Sequence, residues 1–123
     1  GNVNPEDVSV EVTVRKTGLQ IIVAAGGASR VIGDIPVVEG QQNHKKLSEV
    51  LQQVKKGFPD KKDLVLLPTP EIDYQTLVAI MDTARTYETV VAASLVDAVL
   101  FPEVSLGDAA VLNTPSNSEE VQP

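Results

Sequence analysis

The stretch "DLVLLPTPEIDYQTLVAIMDTAR", Asp63 to Arg85, decides how the chain reads. An apolar run from Asp63 to Pro68 meets Pro68 and Pro70, then Glu71 and Asp73. The run is apolar at successive positions, so it reads as a strand covered on both faces, interior to a sheet. Beyond it, apolar residues recur at Tyr74, Leu77, Val78, Met81 and Ala84. That spacing predicts a helix over Tyr74 to Thr86, with those five residues as its buried stripe. Asp73 stands directly before the helix, where a short carboxylate accepts from backbone N–H groups two or three residues on. Glu71 lies near the same positive helix end. A catalytic carboxylate pair needs a set separation and one raised pKa. At i and i+2 of an exposed turn both groups stay solvated and ionised, so Asp73 is read as a helix cap.

Working outward, Asn43 to Lys56 carries a second stripe at Leu47, Val50, Leu51 and Val54, again i, i+3, i+4 and i+7. Lys55 and Lys56 suit the negative end of that helix, Gly57 suits its C′ position and Pro59 prevents continuation. Upstream, Val8, Val10, Val12 and Val14 alternate with polar residues, the period of a half-buried strand. "RKTG" ends it, Gly18 supplying a position of positive φ, and "LQIIVAA" returns as a hairpin partner. "GGAS" is a second turn. "RVIGDIPVVEG" reads as one or two short β segments that Pro36 confines to an edge or strand end. Downstream, Val90 to Val96 and Leu100 to Leu106 are two β-like runs, of which one is expected to be a strand. The order β-β-(β)-α-β-α-β predicts an α+β, two-layer domain. It has a mixed sheet of about four or five strands with two helices on one face. Residues 1–7 are a polar lead-in, 8–108 the domain, and 109–123 ("AAVLNTPSNSEEVQP") a disordered polar tail. Gly1 is expected to be a cloning remnant with a natural segment upstream.

Composition narrows the function classes. At 42% hydrophobic residues the 123-residue chain can bury one modest core. Only two Tyr and two Phe are present, too few for a base-stacking platform, and a net charge of −7 opposes a phosphate-backbone or anionic-membrane binder. Without Cys there is no disulfide, thiolate metal site or Cys nucleophile. No apolar run approaches the roughly 18 residues that span a bilayer.

The remaining candidate sites read modestly. His44, the single His, has no second ligand at metal spacing and no nucleophile motif beside it; it is expected to be an exposed residue at a helix start. Gly26-Gly27 lacks the spacings of nucleotide-binding loops and reads as a hairpin turn. Lys45, Lys46, Lys55, Lys56, Lys61 and Lys62 form a basic zone, read first as a solvated face and second as a contact for an acidic partner. Phe101, Pro102, Val104 and Leu106 are read as an exposed edge that could pair with another chain. No catalytic, cofactor or metal site is expected.

The unit from Leu47 to Arg85 resembles the periplasmic domain of the ExbD/TolR family. The correspondence runs through Ile72-Asp73-Tyr74, Val78 and Ile80-Met81-Asp82, with "LFPEVSLGD" (Leu100 to Asp108) similar to the family's final strand and Val10 to Val23 to its opening hairpin. Two segments, "AAGGASRVIGD" and "TYETVVAASLVDAV", are longer than in short family members. The resemblance implies a non-enzymatic, stator-type subunit of a motor driven by the proton motive force, acting in biopolymer transport, envelope maintenance or gliding motility. It implies a homodimer. An ExbB/TolQ-like channel subunit would be bound through a transmembrane helix outside these residues, and a TonB/TolA-like or peptidoglycan-associated envelope partner would be met in the periplasm. The whole protein is then expected to be anchored in the inner membrane. A small-molecule-sensing or regulatory α+β domain, with a ligand near Gly26-Gly27, is the alternative.

Overall fold

The computed structural model describes residues 4–107. A 3-10 turn, Pro5–Asp7, leads in; the Asn4 side chain caps it by accepting from the Glu6 N–H at 3.0 Å. β1 (Val8–Arg15), β2 (Gly18–Ala25) and β3 (Ala28–Pro36) form an antiparallel meander. α1 (His44–Gly57) then leads into β4 (Asp63–Pro68), and α2 (Tyr74–Arg85) leads out of it. β5 (Thr86–Val91) and β6 (Ser94–Val99) make a separate antiparallel pair, and β7 (Glu103–Leu106) closes the chain's path through the main sheet. That sheet has the order β3-β2-β1-β4-β7, with β4 parallel to both β1 and β7. The architecture is α+β with a mixed five-stranded sheet, as the order of elements predicts.

The alternation in β1 sets the layers. Val8, Val10, Val12 and Val14 all point into one core with Leu19, Ile21 and Ile35 from the meander and Leu64 and Leu66 from β4. Leu47, Leu51 and Val54 of α1 and Ile80 and Ala84 of α2 join the same cluster, so both helices lie on that face of the sheet. β1 carries the core from both sides because it sits at the centre of the order, with β2 on one flank and β4 on the other.

Turn chemistry fixes the meander. At Gly18, φ is +150°, and a Cβ there would collide with the Ile35 carbonyl oxygen and come within 2.8 Å of Pro36 Cα. The β3 backbone passes too close for any side chain. Gly26 and Gly27, at φ 61° and 82°, form the two-residue turn between β2 and β3.

Several expectations are corrected. Tyr74 is not core: it is 76% exposed. The buried meridian of α2 runs through Ile80 and Ala84, and at 3.6 residues per turn Tyr74 lies about 120° around the helix from Ile80. Leu77, Val78 and Met81 are half-buried. Gly57 is the last helical residue of α1, and Phe58 closes the helix with its N–H on Val54 O at 2.9 Å. Both downstream runs contain strand, but the first, Val90 to Val96, is not one strand: it straddles the Ala92-Ala93 turn of a hairpin in which Thr86–Val91 pairs with Ser94–Val99. The last strand begins at Glu103 instead of Leu100. Leu100 and Phe101 instead donate their N–H groups to Arg85 O (2.7 Å) and Ala84 O (2.9 Å), satisfying carbonyls at the end of α2. The tail expected over 109–123 lies outside the described residues.

Candidate functional site

The parallel pair β1–β4 ends on one side of the domain at Arg15 and Pro68. Because α1 leads into β4 and α2 leaves it, both helices start at that same end. The result is a cleft of about 330 Å³ lined by Lys16, Gln42, His44, Glu71, Asp73 and Thr76 among others. Glu71, Asp73 and His44, distant in part along the chain, are thus brought together. The two helix starts are each capped by their own side chain: Asn43 Oδ1 accepts from Lys46 N–H at 3.0 Å and Asp73 Oδ1 from Thr76 N–H at 2.8 Å. The cap assigned to Asp73 from sequence is present.

The loop from β4 into α2 is tied down at Thr69. Its N–H donates to Val14 O at 3.0 Å, and its hydroxyl lies 2.8 Å from Glu71 Oε2 and 3.3 Å from Val14 O. A hydroxyl has one proton, and the shorter, charged acceptor takes it. The Thr69 hydroxyl, then the Glu71 backbone N–H, and more weakly the Lys16 charge hold the Glu71 carboxyl below its ordinary range. Hydrogen bonds from the side chain and then the backbone of Thr76 do the same for Asp73. Both groups are therefore ionised at neutral pH, the opposite of what a general acid needs.

His44 is corrected from exposed to half-buried. Its Nδ1 lies 2.9 Å from Thr83 Oγ1, and that hydroxyl also lies 2.9 Å from Ala79 O. A carbonyl only accepts, so the Thr83 proton goes to Ala79 and His44 Nδ1–H donates to Thr83. This fixes the Nδ1–H tautomer and leaves Nε2 as an acceptor in the neutral ring. Gln42 donates from Nε2 to Arg15 O at 2.7 Å, while its Oε1 is buried with no partner. The cleft can hold a small polar group between Lys16 and the acceptors. Among the described residues there is no group of three or more His, Asp or Glu arranged to hold a metal.

The other predicted residues do not form one surface. Phe101, expected on an exposed edge, is fully buried, and Lys55 Nζ sits 4.9 Å above its ring centroid. Lys55 also donates to the Lys61 carbonyl, and burial, followed by the neighbouring Lys62 charge, lowers its pKa. Lys61 is buried as well: its Nζ donates to Pro5 O at 3.1 Å and pairs with Asp63 at 3.0 Å, pinning the lead-in turn to the start of β4. The expected solvated basic face therefore loses Lys61 wholly and Lys55 in part to internal contacts. Lys45, Lys46, Lys56 and Lys62 remain exposed. Pro102 is exposed, Val104 half-buried and Leu106 51% exposed; Val104 and Leu106 lie on β7, the edge strand beside β4. The hollow beside Gly27 is lined by Glu6, Asp7, Ser9 and Ser29, and its carboxylates oppose a phosphate.

Lys16 and Gln42 were not singled out by sequence, because neither belongs to a periodic or spaced motif. Comparison with protein-family models, with curated proteins and with solved structures finds no match.

Proposed function

We propose that this chain is the periplasmic domain of an ExbD/TolR-like subunit of a proton-driven motor, with recognition and force transfer as its work. The observation that carries this reading is the edge strand β7. It pairs with β4 on one side only among the described residues, and Leu106 on it is half exposed. Such an edge offers backbone donors and acceptors to an added strand, from a second copy or from an envelope partner. The same segment, with the Asp73-Tyr74 helix start, carries the family resemblance. On this reading the protein is a homodimer anchored in the inner membrane. An ExbB/TolQ-like channel subunit is its membrane partner, and a TonB/TolA-like or peptidoglycan-associated protein its envelope partner. The ionised state of Glu71 and Asp73 removes both as general acids.

The test is the natural protein sequence upstream of Gly1. A helix of about 20 apolar residues carrying one Asp is expected. A natural start at Asn2 overturns the motor reading.

A second reading, a small-molecule-sensing domain, is favoured by the Lys16–Gln42–Glu71 cleft with its unpartnered Gln42 Oε1. A thermal-shift screen with small polar metabolites tests it. A hit abolished by Lys16→Met and Gln42→Met supports sensing, and a flat screen counts against it.

A further inference from the structure

We infer that the outward face of the β5–β6 hairpin docks an extended basic segment of a partner protein, with Lys or Arg between two β-branched residues. Alternation divides the hairpin into two faces. One carries Tyr87, Thr89 and Ala98, which are half-buried near the root, where Tyr87 packs against the core, and Val91, Ser94 and Val96, which are exposed toward the tip. The other carries Thr86, Glu88 and Val90 on β5 and Leu95, Asp97 and Val99 on β6. All six are exposed: Val90 at 64%, Leu95 at 71% and Val99 at 64%. A strand pair normally turns its large apolar residues inward and its polar ones out. Here three large apolar residues face solvent on one small surface.

Two further local rules are broken in the same hairpin. Its turn is Ala92-Ala93 at φ 52° and 65°, a left-handed pair that favours Asn-Gly and is costly for alanine. Glu88 stands directly opposite Asp97, and like charges in cross-strand register destabilise a pair. Strain, exposed apolar area and repelling carboxylates gathered in one element mark a site kept for something other than stability. The hairpin is nevertheless held in place: Leu100 and Phe101 clamp its root to the end of α2.

Charge decides the occupant. The carboxylates sit mid-face, with the Val90–Leu95 pair on one side and the Thr86–Val99 pair on the other. A second copy seated face to face would set four carboxylates against each other in an apolar contact, a repulsive arrangement. An extended segment laid along the strands across this face repeats its side chains at the same two-residue period. A basic residue then lies over Glu88 and Asp97, and the residues two before and two after it lie over the apolar pairs. The recognised pattern is β-branched, any, basic, any, β-branched. The inference does not depend on the motor reading, and its test reports on the hairpin alone.

The test is amide chemical-shift mapping on the isotope-labelled chain. It is titrated with the peptide Thr-Val-Thr-Arg-Thr-Val-Thr and with the same peptide carrying Glu in place of Arg. Shifts confined to Thr86–Val99, with the Arg peptide bound about tenfold more tightly, are expected. Glu88→Lys with Asp97→Lys should reverse the preference, and Glu88→Gln with Asp97→Asn should abolish it while leaving the remaining amides in place. Equal binding of the two peptides overturns the inference, as do shifts that map to β3 or β7, or no shift at about 1 mM peptide. Concentration-dependent shifts in the hairpin without peptide also overturn it, in favour of a second copy.

Discussion

Replacing Phe101 by Ala removes a ring that is fully buried at the junction of α2, the hairpin root and β7. Its neighbours are held by the backbone bonds from Leu100 and Phe101 to the end of α2, so the site cannot collapse freely. A buried Phe truncated to Ala costs about 3–5 kcal/mol where the cavity persists. The Lys55 ammonium 4.9 Å above the ring adds an attraction of about 0.5–1 kcal/mol. We therefore expect a loss of about 4 kcal/mol for Phe101→Ala, a large part of the ~5–15 kcal/mol of an ordinary domain. At about 4–8 °C per kcal/mol the midpoint should fall by about 15–30 °C. Urea unfolding monitored by circular dichroism, with calorimetry as the check on two-state behaviour, reads both quantities. Phe101→Leu should cost less than half as much. Lys55→Met, which keeps the stem and removes the charge, should isolate the ring–ammonium coupling in a double-mutant cycle. A loss under about 1 kcal/mol for Phe101→Ala is what an exposed edge residue would give, and it would refute the packing argued here.

Asp73→Ala should lower the thermal midpoint by roughly 4–8 °C through the lost cap, while Asp73→Asn, which also caps, should stay near the parent at neutral pH. Both Glu71 and Asp73 are more acidic folded than unfolded, so their contribution is complete above the ordinary carboxylate range near pH 4 and lost as pH falls through the depressed values. Acid titration of stability should therefore flatten in Glu71→Gln with Asp73→Asn. Gly18→Ala should destabilise by about 3 kcal/mol, measured by urea unfolding, because its Cβ meets the β3 backbone instead of a yielding side chain. Ala92→Asn with Ala93→Gly should raise stability by about 1–2 kcal/mol and increase amide exchange protection in β5 and β6. An unchanged exchange profile would mean the turn carries no strain.

Period carried most of the fold. The stripe of α1, the alternation of β1 and the cap at Asp73 are local patterns, and local patterns survive into the structure. The errors came where one residue type serves two geometries. Phe101 precedes an edge strand in sequence, yet the need of α2 for carbonyl partners turns it inward. Lys61 reads as surface because it is charged, but its long stem lets the ammonium reach Pro5 O and Asp63 from a buried position. The cleft was visible only as scattered Glu71, Asp73 and His44. Lys16, just past β1, joins them through the parallel β1–β4 pairing, and Gln42 through its bond to the Arg15 carbonyl, contacts no local window reveals. The repulsion between Glu88 and Asp97 is likewise a fact of register.

The central position of β1 has a mechanical consequence. Tension applied at the chain's amino end enters the sheet through its middle strand, which is bonded to β2 over eight residue pairs and to β4 over four. Pulling along β1 loads both ladders in shear at once, so many hydrogen bonds must yield together. A pull on the carboxyl end of β7, directed away from the sheet, would instead open a single four-pair ladder one bond at a time. The domain is thus stiff toward a load from its amino side and compliant at its far edge, a polarity set by strand order alone.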